Sequence, residues 1–262
     1  MLIDSTAHLP IGLAILDGVF HPPSGADLAH IIVRWLHFVA GITWIGMLYF
    51  FNLVNVPLQK KLDADTKKKV NPDLLLPALW FFRWGAVITV LAGLTYYAMY
   101  ILGADVNNAN NAGAHLNVWL LLIEWLTYPI VLFLIEFLII KKVPALIKDG
   151  RVFAIVMLIL VAIVTFGLTK FFPAMMGANA SNKTMSIGVG GAYGVLMLLN
   201  VWGIIWPANK RIIGALQGGP PADPTLARQA FIASRTNAWL SLPMLLFMGT
   251  SSHDWLIFSG GK

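Results

Sequence analysis

The sequence predicts an all-α integral membrane helical bundle of about six transmembrane helices, with both termini on the outer side of the membrane. Only 11% of its residues are charged, whereas soluble domains average about 25%. Hydrophobic residues make up 58% of the chain, and they are gathered into long stretches. Lysine and arginine are concentrated in alternate connections between these stretches. These three observations predict the fold class, the number of helices and their orientation.

Six stretches are long and apolar enough to cross a bilayer core, which takes roughly 20 helical residues. They cover approximately residues 28–55, 74–102, 116–140, 151–174, 184–208 and 229–250. We expect one membrane domain over residues 1–262, in which residues 1–27 form a periplasmic or interfacial lead. The two longest connections, 59–73 and 103–115, are predicted to be loops, with a turn at Asn71-Pro72 in the first.

The distribution of basic residues predicts the orientation of the bundle. Thirteen of the eighteen lysines and arginines fall in the first, third and fifth connections. Because such residues are retained on the cytoplasmic side, these connections are predicted to be cytoplasmic and both termini to face outward. The net charge of +6 reflects this bias and attraction to anionic lipid, so we expect no nucleic acid partner. The expected location is a bacterial inner membrane, crossed several times.

The chain contains no cysteine. That excludes disulfides, thiolate iron–sulfur sites and covalent haem attachment through C-x-x-C-H within this chain. Any cofactor is therefore expected to be held non-covalently.

All six histidines are predicted to lie in the outer half of the membrane or beyond it. They are His8, His21, His30, His37, His115 and His253. Neutral imidazole is a common ligand of haem iron and other metals, and ionisable residues inside a membrane are usually functional. The pattern therefore predicts a redox or metal site near the outer face, with haem b as the expected cofactor.

His37 and His253 are the favoured axial pair for the haem iron. His37 lies about nine residues into the first helix, where an unpaired imidazole is costly to bury. His253 lies at the outer end of the last helix. His30 and His115 are the substitute ligands. The alternatives are a hydrogen-bonded structural role for His37 and solvent-exposed or interfacial positions for the other three.

Charged residues inside the predicted helices are further candidates. Arg34 shares a helix face with two of the histidines, where its guanidinium is placed to meet a haem propionate or an anionic substrate, or else to snorkel outward. Glu124 lies two turns into the third helix, so it is the preferred candidate for a proton-handling group or for a partner to Arg34. Glu136, near the inner end of that helix, is expected to reach cytoplasmic water. Arg83 must find an acceptor or water.

Three short segments of the chain match the sequence pattern of a known protein family. They are residues 34–46 (RWLHFVAGITWIG), 200–207 (NVWGIIWP) and 234–243 (SRTNAWLSLP), the last continuing to Met248 and Ser252-His253. Together they resemble the membrane-bound urate hydroxylase family, whose membrane part is the urate oxidase N-terminal domain. The resemblance covers the first helix and most of the last third of the chain.

The resemblance implies a helical-bundle redox protein whose electrons go to cytochrome c. Five positions carry over: His37, His253, Arg235, Asn237 and Pro243. Family members often have histidine where Thr236 stands, and another in the fifth helix, where this chain reads Ile187-Gly-Val-Gly. The cytochrome c domain that the family normally carries is expected to be absent, because the chain has no cysteine.

Three functions are therefore in contention. The first is a haem-b membrane subunit that exchanges electrons with a separate periplasmic cytochrome c or a respiratory complex. The second is a urate hydroxylase that passes electrons to cytochrome c, with Arg34, Glu124 or Arg235 near the substrate; Arg235 fits less well, because it is predicted to lie at the cytoplasmic end. The third is a non-redox structural subunit of a membrane complex. A cytochrome partner is expected to dock on residues 1–23 and 103–115, whose acidic rim is Asp4, Asp17, Asp27 and Asp105.

Overall fold

The computed structural model describes residues 23–252 and 257–258, and within them every regular element is a helix. The helices in chain order are α1 Gly25–Lys61, α2 Ala64–Asn111, α3 Val118–Lys142, α4 Pro144–Lys148, α5 Gly150–Asn179, α6 Asn182–Leu216 and α7 Thr225–Thr250. The all-α prediction is confirmed for the described part of the chain.

Five of the helices, α1, α2, α3, α5 and α6, are long and apolar enough to cross a membrane. They correspond to the first five predicted spans. α7 is 26 residues long but is not among these five, because polar side chains interrupt its apolar sequence. The sixth span and the orientation of the bundle stay predictions.

α1 and α2 form a long antiparallel hairpin. Only Leu62 and Asp63 separate them, so most of the predicted loop 59–73 is helical. The Asp63 carboxylate caps α2 by accepting hydrogen bonds from the backbone N–H and the hydroxyl of Thr66, at 2.9 and 2.7 Å. The turn predicted at Asn71-Pro72 is wrong, because Pro72 lies inside α2.

α2 also continues beyond the predicted end of its span. Its 48 residues extend roughly 70 Å at 1.5 Å per residue, more than twice the hydrocarbon thickness of about 30 Å. The second predicted loop is helical over Gly103–Asn111. The Asn110 side chain then closes the turn into α3, donating to the Leu116 carbonyl at 3.0 Å and accepting from its N–H at 2.8 Å. This segment is a folded cap rather than a mobile loop.

Three of the long helices contain a π-helical segment, at Phe50–Asn55 in α1, Tyr97–Leu102 in α2 and Val201–Ile205 in α6. A π segment inserts one residue into an α-helix and is frequent at functional sites. Each of these segments contains or adjoins a buried polar side chain, namely Asn52, Tyr97 and Asn200.

α6 is the central helix and α1 is peripheral. In an apolar 18-residue stretch of α6, 67% of the residues are buried, compared with 17% in the corresponding stretch of α1. Glycines allow this close packing: the Phe172 ring fills the space beside Gly188, and a Cβ on Gly190 would lie 3.1 Å from the Met244 carbonyl oxygen. The glycine-rich run of α6 therefore serves helix packing rather than clearance for a flat cofactor.

Cysteine labelling tests the predicted orientation, since the chain has no cysteine of its own. Asn111 and Lys68 are exposed near opposite ends of α2, roughly 65 Å apart along the helix. In intact spheroplasts, Asn111→Cys should react with an impermeant thiol reagent and Lys68→Cys should react only after the membrane is permeabilised. The reverse pattern would invert the bundle and place the histidines on the cytoplasmic side.

Candidate functional site

His37 is held in one orientation between α1 and α2. Its Nδ1 lies 2.8 Å from the Thr89 carbonyl oxygen, and a carbonyl can only accept, so Nδ1 carries the hydrogen. The ring lies against Gly93, where a Cβ would come within 2.8 Å of Nδ1 and Cε1. A histidine fixed by such a bond keeps its Nε2 lone pair for a metal. His37 thus has the geometry of a pre-oriented ligand.

His30 belongs to a tyrosine cluster instead. Its Nε2 lies 2.8 Å from the Tyr96 hydroxyl, and its ring stacks on Tyr100 with centroids 4.1 Å apart and planes 10° apart. That bond leaves Nδ1, the ring nitrogen nearer the backbone, for a metal. The geometry favours His37 over His30 as a ligand.

The remaining candidates do not gather around His37 in the described part of the chain. Arg34 is exposed, and its guanidinium carbon lies 5.8 Å from the Phe38 ring centroid. Glu124 and His115 are also exposed. His8, His21 and His253 lie outside the described residues, so the His37–His253 pair stays a prediction.

A polar cluster lies in the middle of the bundle, and it includes Asn237, one of the positions that the family resemblance singled out. Glu136 of α3 is fully buried, as are Asn200 of α6 and Asn237 of α7. The Asn200 amide donates to Glu136 Oε2 and to Asn237 Oδ1, both at 3.0 Å. Asn237 in turn donates to the Met197 carbonyl at 2.9 Å. The expectation that Glu136 reaches cytoplasmic water is wrong.

Two acceptors of this cluster have no hydrogen-bond partner among the described residues: Glu136 Oε1 and Asn200 Oδ1. A buried polar atom without a partner is costly. A donor supplied by a proton on Glu136 or by a bound water molecule would lower that cost. The cluster is therefore equipped to hold a proton or a water molecule inside the bundle.

The same face of α7 carries two more polar contacts, which link it to α1. Ser241 lies 2.9 Å from the Tyr49 hydroxyl, and the Ser234 hydroxyl accepts from Asn52 at 2.9 Å. We call Glu136, Asn200, Asn237 and these two contacts the inner polar layer. Residues 234, 237 and 241 are spaced so that they share one helix face. That spacing of polar residues is the feature of the sequence from which the layer could have been predicted.

The charge of Arg83 of α2 lies against aromatic rings, while its buried Nε has no hydrogen-bond partner among the described residues. Its guanidinium carbon lies 3.8 Å from the Trp206 ring centroid and 5.8 Å from that of Trp202. The Trp202 indole N–H also donates to the Arg83 carbonyl at 3.3 Å. A cation over a tryptophan face is stabilised by about 0.5–2 kcal/mol, so Arg83 ties α2 to α6.

Comparison with known families identifies one match. Residues 24–74 and 62–261 match the family described as urate oxidase N-terminal. The two matched segments together cover nearly all the described residues, including the His37 region and the inner polar layer. No curated protein and no solved structure matched the chain.

Proposed function

Since the chain belongs to the urate oxidase N-terminal family, we propose that it is an integral-membrane redox subunit that binds a b-type haem through His37. The observation that carries the proposal is the fixed imidazole. Its Nδ1–H is committed to the Thr89 carbonyl at 2.8 Å, which leaves Nε2 for iron. Orientation of a ligating histidine through its other nitrogen is the usual arrangement in metal sites.

A haem at His37 would meet an apolar helix surface. The ring of the exposed Phe38 has its centroid 6.1 Å from that of His37, with the two planes 80° apart. Arg34 lies one turn from His37 towards the predicted outer side, and its exposed guanidinium is available to a propionate. A haem held there would supply a one-electron carrier near the outer face. In this proposal His37 supplies one axial ligand of the iron, and His253, which lies outside the described residues, supplies the other.

The electron acceptor in this proposal is a cytochrome c on the periplasmic side. Asp27 is exposed at the predicted outer end of α1 and supports the acidic docking rim. Asp105 does not contribute to that rim, because its buried carboxylate accepts from the Ser181 backbone N–H at 2.9 Å. Steering of a basic cytochrome by such a rim should weaken as salt is added.

Urate hydroxylation is the second candidate function, and the family match favours it. Urate is an anion at neutral pH, and the exposed guanidinium of Arg34 is a suitable recognition group. The inner polar layer offers a site that can hold a proton, within the same family-matched region. In this version urate is the electron donor and cytochrome c the acceptor.

An absorption spectrum tests the haem proposal. The purified wild-type protein should show the Soret and α bands of a b-type haem, and His37→Ala should lose them while still inserting into the membrane. His115→Ala tests the substitute ligand in the same way, and it should keep the bands because His115 is exposed and does not lie beside His37. A full haem complement in His37→Ala would remove His37 from the site.

A reduction assay separates the three functions. Urate-dependent reduction of added cytochrome c supports the hydroxylase, and reduction of the haem without any response to urate supports the redox subunit. A protein that purifies without haem and transfers no electrons to cytochrome c would be a structural subunit.

A further inference from the structure

We propose that the end of the bundle opposite the histidines binds an anionic phospholipid whose headgroup carries two phosphates. The site is a groove of about 800 Å³ between α3, α4, α6 and α7. Its lining combines cationic side chains, namely Lys141, Lys142, Lys148, Arg211 and Arg228, with apolar ones, among them Phe137, Ile140, Ala145, Ile147 and Leu226. This proposal is independent of the haem.

The groove carries a strong positive charge. Asp223 is its one acidic lining residue, against five basic ones. Hydrogen bonds from Thr225, at 2.8 Å, and the nearby Lys141 and Arg211 hold the pKa of Asp223 below its usual value. Asp223 is therefore ionised at neutral pH, and the net charge of the lining is about +4. That excess suits an anion with more than one negative charge.

The walls of the groove are tied together by the basic side chains themselves. Lys141 of α3 donates to the Gln229 side chain of α7 at 2.6 Å. Arg228 of α7 donates to the carbonyls of Ile147 and Lys148, at 2.8 and 3.1 Å, and so holds the short helix α4 in place. The groove is thus a formed feature of the fold rather than a chance meeting of mobile lysines.

Three exposed cations remain to meet a ligand: Lys142 and Lys148 on one side of the groove and Arg211 on the other. A ligand with two phosphates can offer one anionic group to each side, whereas a ligand with a single phosphate cannot. The apolar lining adjoins the predicted hydrocarbon region, so acyl chains can continue along α3. Basic pockets between transmembrane helices on the cytoplasmic side are typical sites for such headgroups. The combination points to a lipid rather than a free phosphate.

Native mass spectrometry of the purified protein with added cardiolipin tests the proposal. The double variant Lys142→Gln/Arg211→Gln should bind cardiolipin at least about tenfold more weakly than wild type, since each basic residue near the surface contributes about 1 kcal/mol. The matched control is Lys60→Gln/Lys61→Gln, which removes the same charge from exposed positions outside the groove and should bind as wild type does. Equal losses in both variants would reduce the site to general charge attraction and overturn the proposal.

Two further experiments use the wild-type protein, so their results can be interpreted even if the double variant fails to fold. At equal total phosphate, wild type should retain cardiolipin in preference to phosphatidylglycerol, which has one phosphate, and equal retention would contradict the proposal. Inorganic phosphate at millimolar concentration should not displace bound cardiolipin. Displacement by phosphate alone would assign the groove to a soluble anion.

Discussion

Gly93→Ala is expected to displace the His37 imidazole and to lower haem affinity by about 10–100-fold, the usual cost of losing an outer hydrogen bond to a metal ligand. A Cβ at this position would lie 2.8 Å from two atoms of the ring, closer than real contacts allow. The ring must then move, and the 2.8 Å bond from Nδ1 to the Thr89 carbonyl is lost. Titration of the apoprotein with haem, followed in the Soret region, measures the effect.

Gly93→Ala distinguishes an effect on the position of the His37 ring from an effect on folding. Alanine is the better helix former by about 1 kcal/mol, so the Gly93→Ala protein should insert and keep its helical content while it binds haem poorly. Gly46→Ala on α1 is the matched control, because a Cβ there meets nothing within 4 Å. If Gly93→Ala binds haem as tightly as Gly46→Ala, the orientation of His37 is irrelevant to the site.

Asn237→Leu is expected to lower the free energy of unfolding by about 2–3 kcal/mol. Leucine has a similar volume but cannot accept from Asn200 or donate to the Met197 carbonyl, bonds of 3.0 and 2.9 Å. Each buried group left unpaired costs about 1–3 kcal/mol, although measured pair energies in membrane proteins average nearer 0.6 kcal/mol. Denaturant unfolding in mild detergent, followed by circular dichroism, measures the loss.

The neighbouring residue provides the control. Thr236→Val removes only the bond from the Thr236 hydroxyl to the Ile232 carbonyl in the same helix, and it should change the free energy of unfolding by less than about 1 kcal/mol. Equal effects at positions 236 and 237 would mean that the inner polar layer adds no stability beyond ordinary packing. A more stable Asn237→Leu protein would imply that the layer is kept for function at a cost in stability.

Hydropathy predicted the helical bundle and the first five of its six apolar helices, because that pattern depends on local sequence alone. The two connections that were predicted to be loops are largely helical. They are stabilised by hydrogen bonds to residues elsewhere in the chain and by side chains that cap their ends. Asn71, read as part of a turn, instead exchanges hydrogen bonds with Gln59 of α1 at 2.7 and 3.0 Å. Asn and Pro favour turns only where no such partner stabilises the helix.

The candidate site was only partly predictable for a related reason. His37 stood out because an imidazole inside an apolar helix is rare, but the Thr89 and Gly93 positions that fix its ring lie on another helix. Glu136 was assigned to water by its distance from the helix end, and what covers that end depends on how α6 and α7 pack. Asn200 and Asn237 meet through the relative rotation of two helices, which a hydropathy pattern does not specify.

Each π-helical segment changes the direction in which the side chains beyond it point around the helix axis. One extra residue turns everything beyond it by about 100° around the helix axis. In α6 the segment Val201–Ile205 begins just after Asn200, which faces α3 and α7, and ends just before Trp206, which faces Arg83 of α2. α6 therefore contacts α3 and α7 through its first half and α2 through its second half. Deleting one residue of this segment would turn Trp206 by about 100° around the axis relative to Asn200 and so move it away from Arg83.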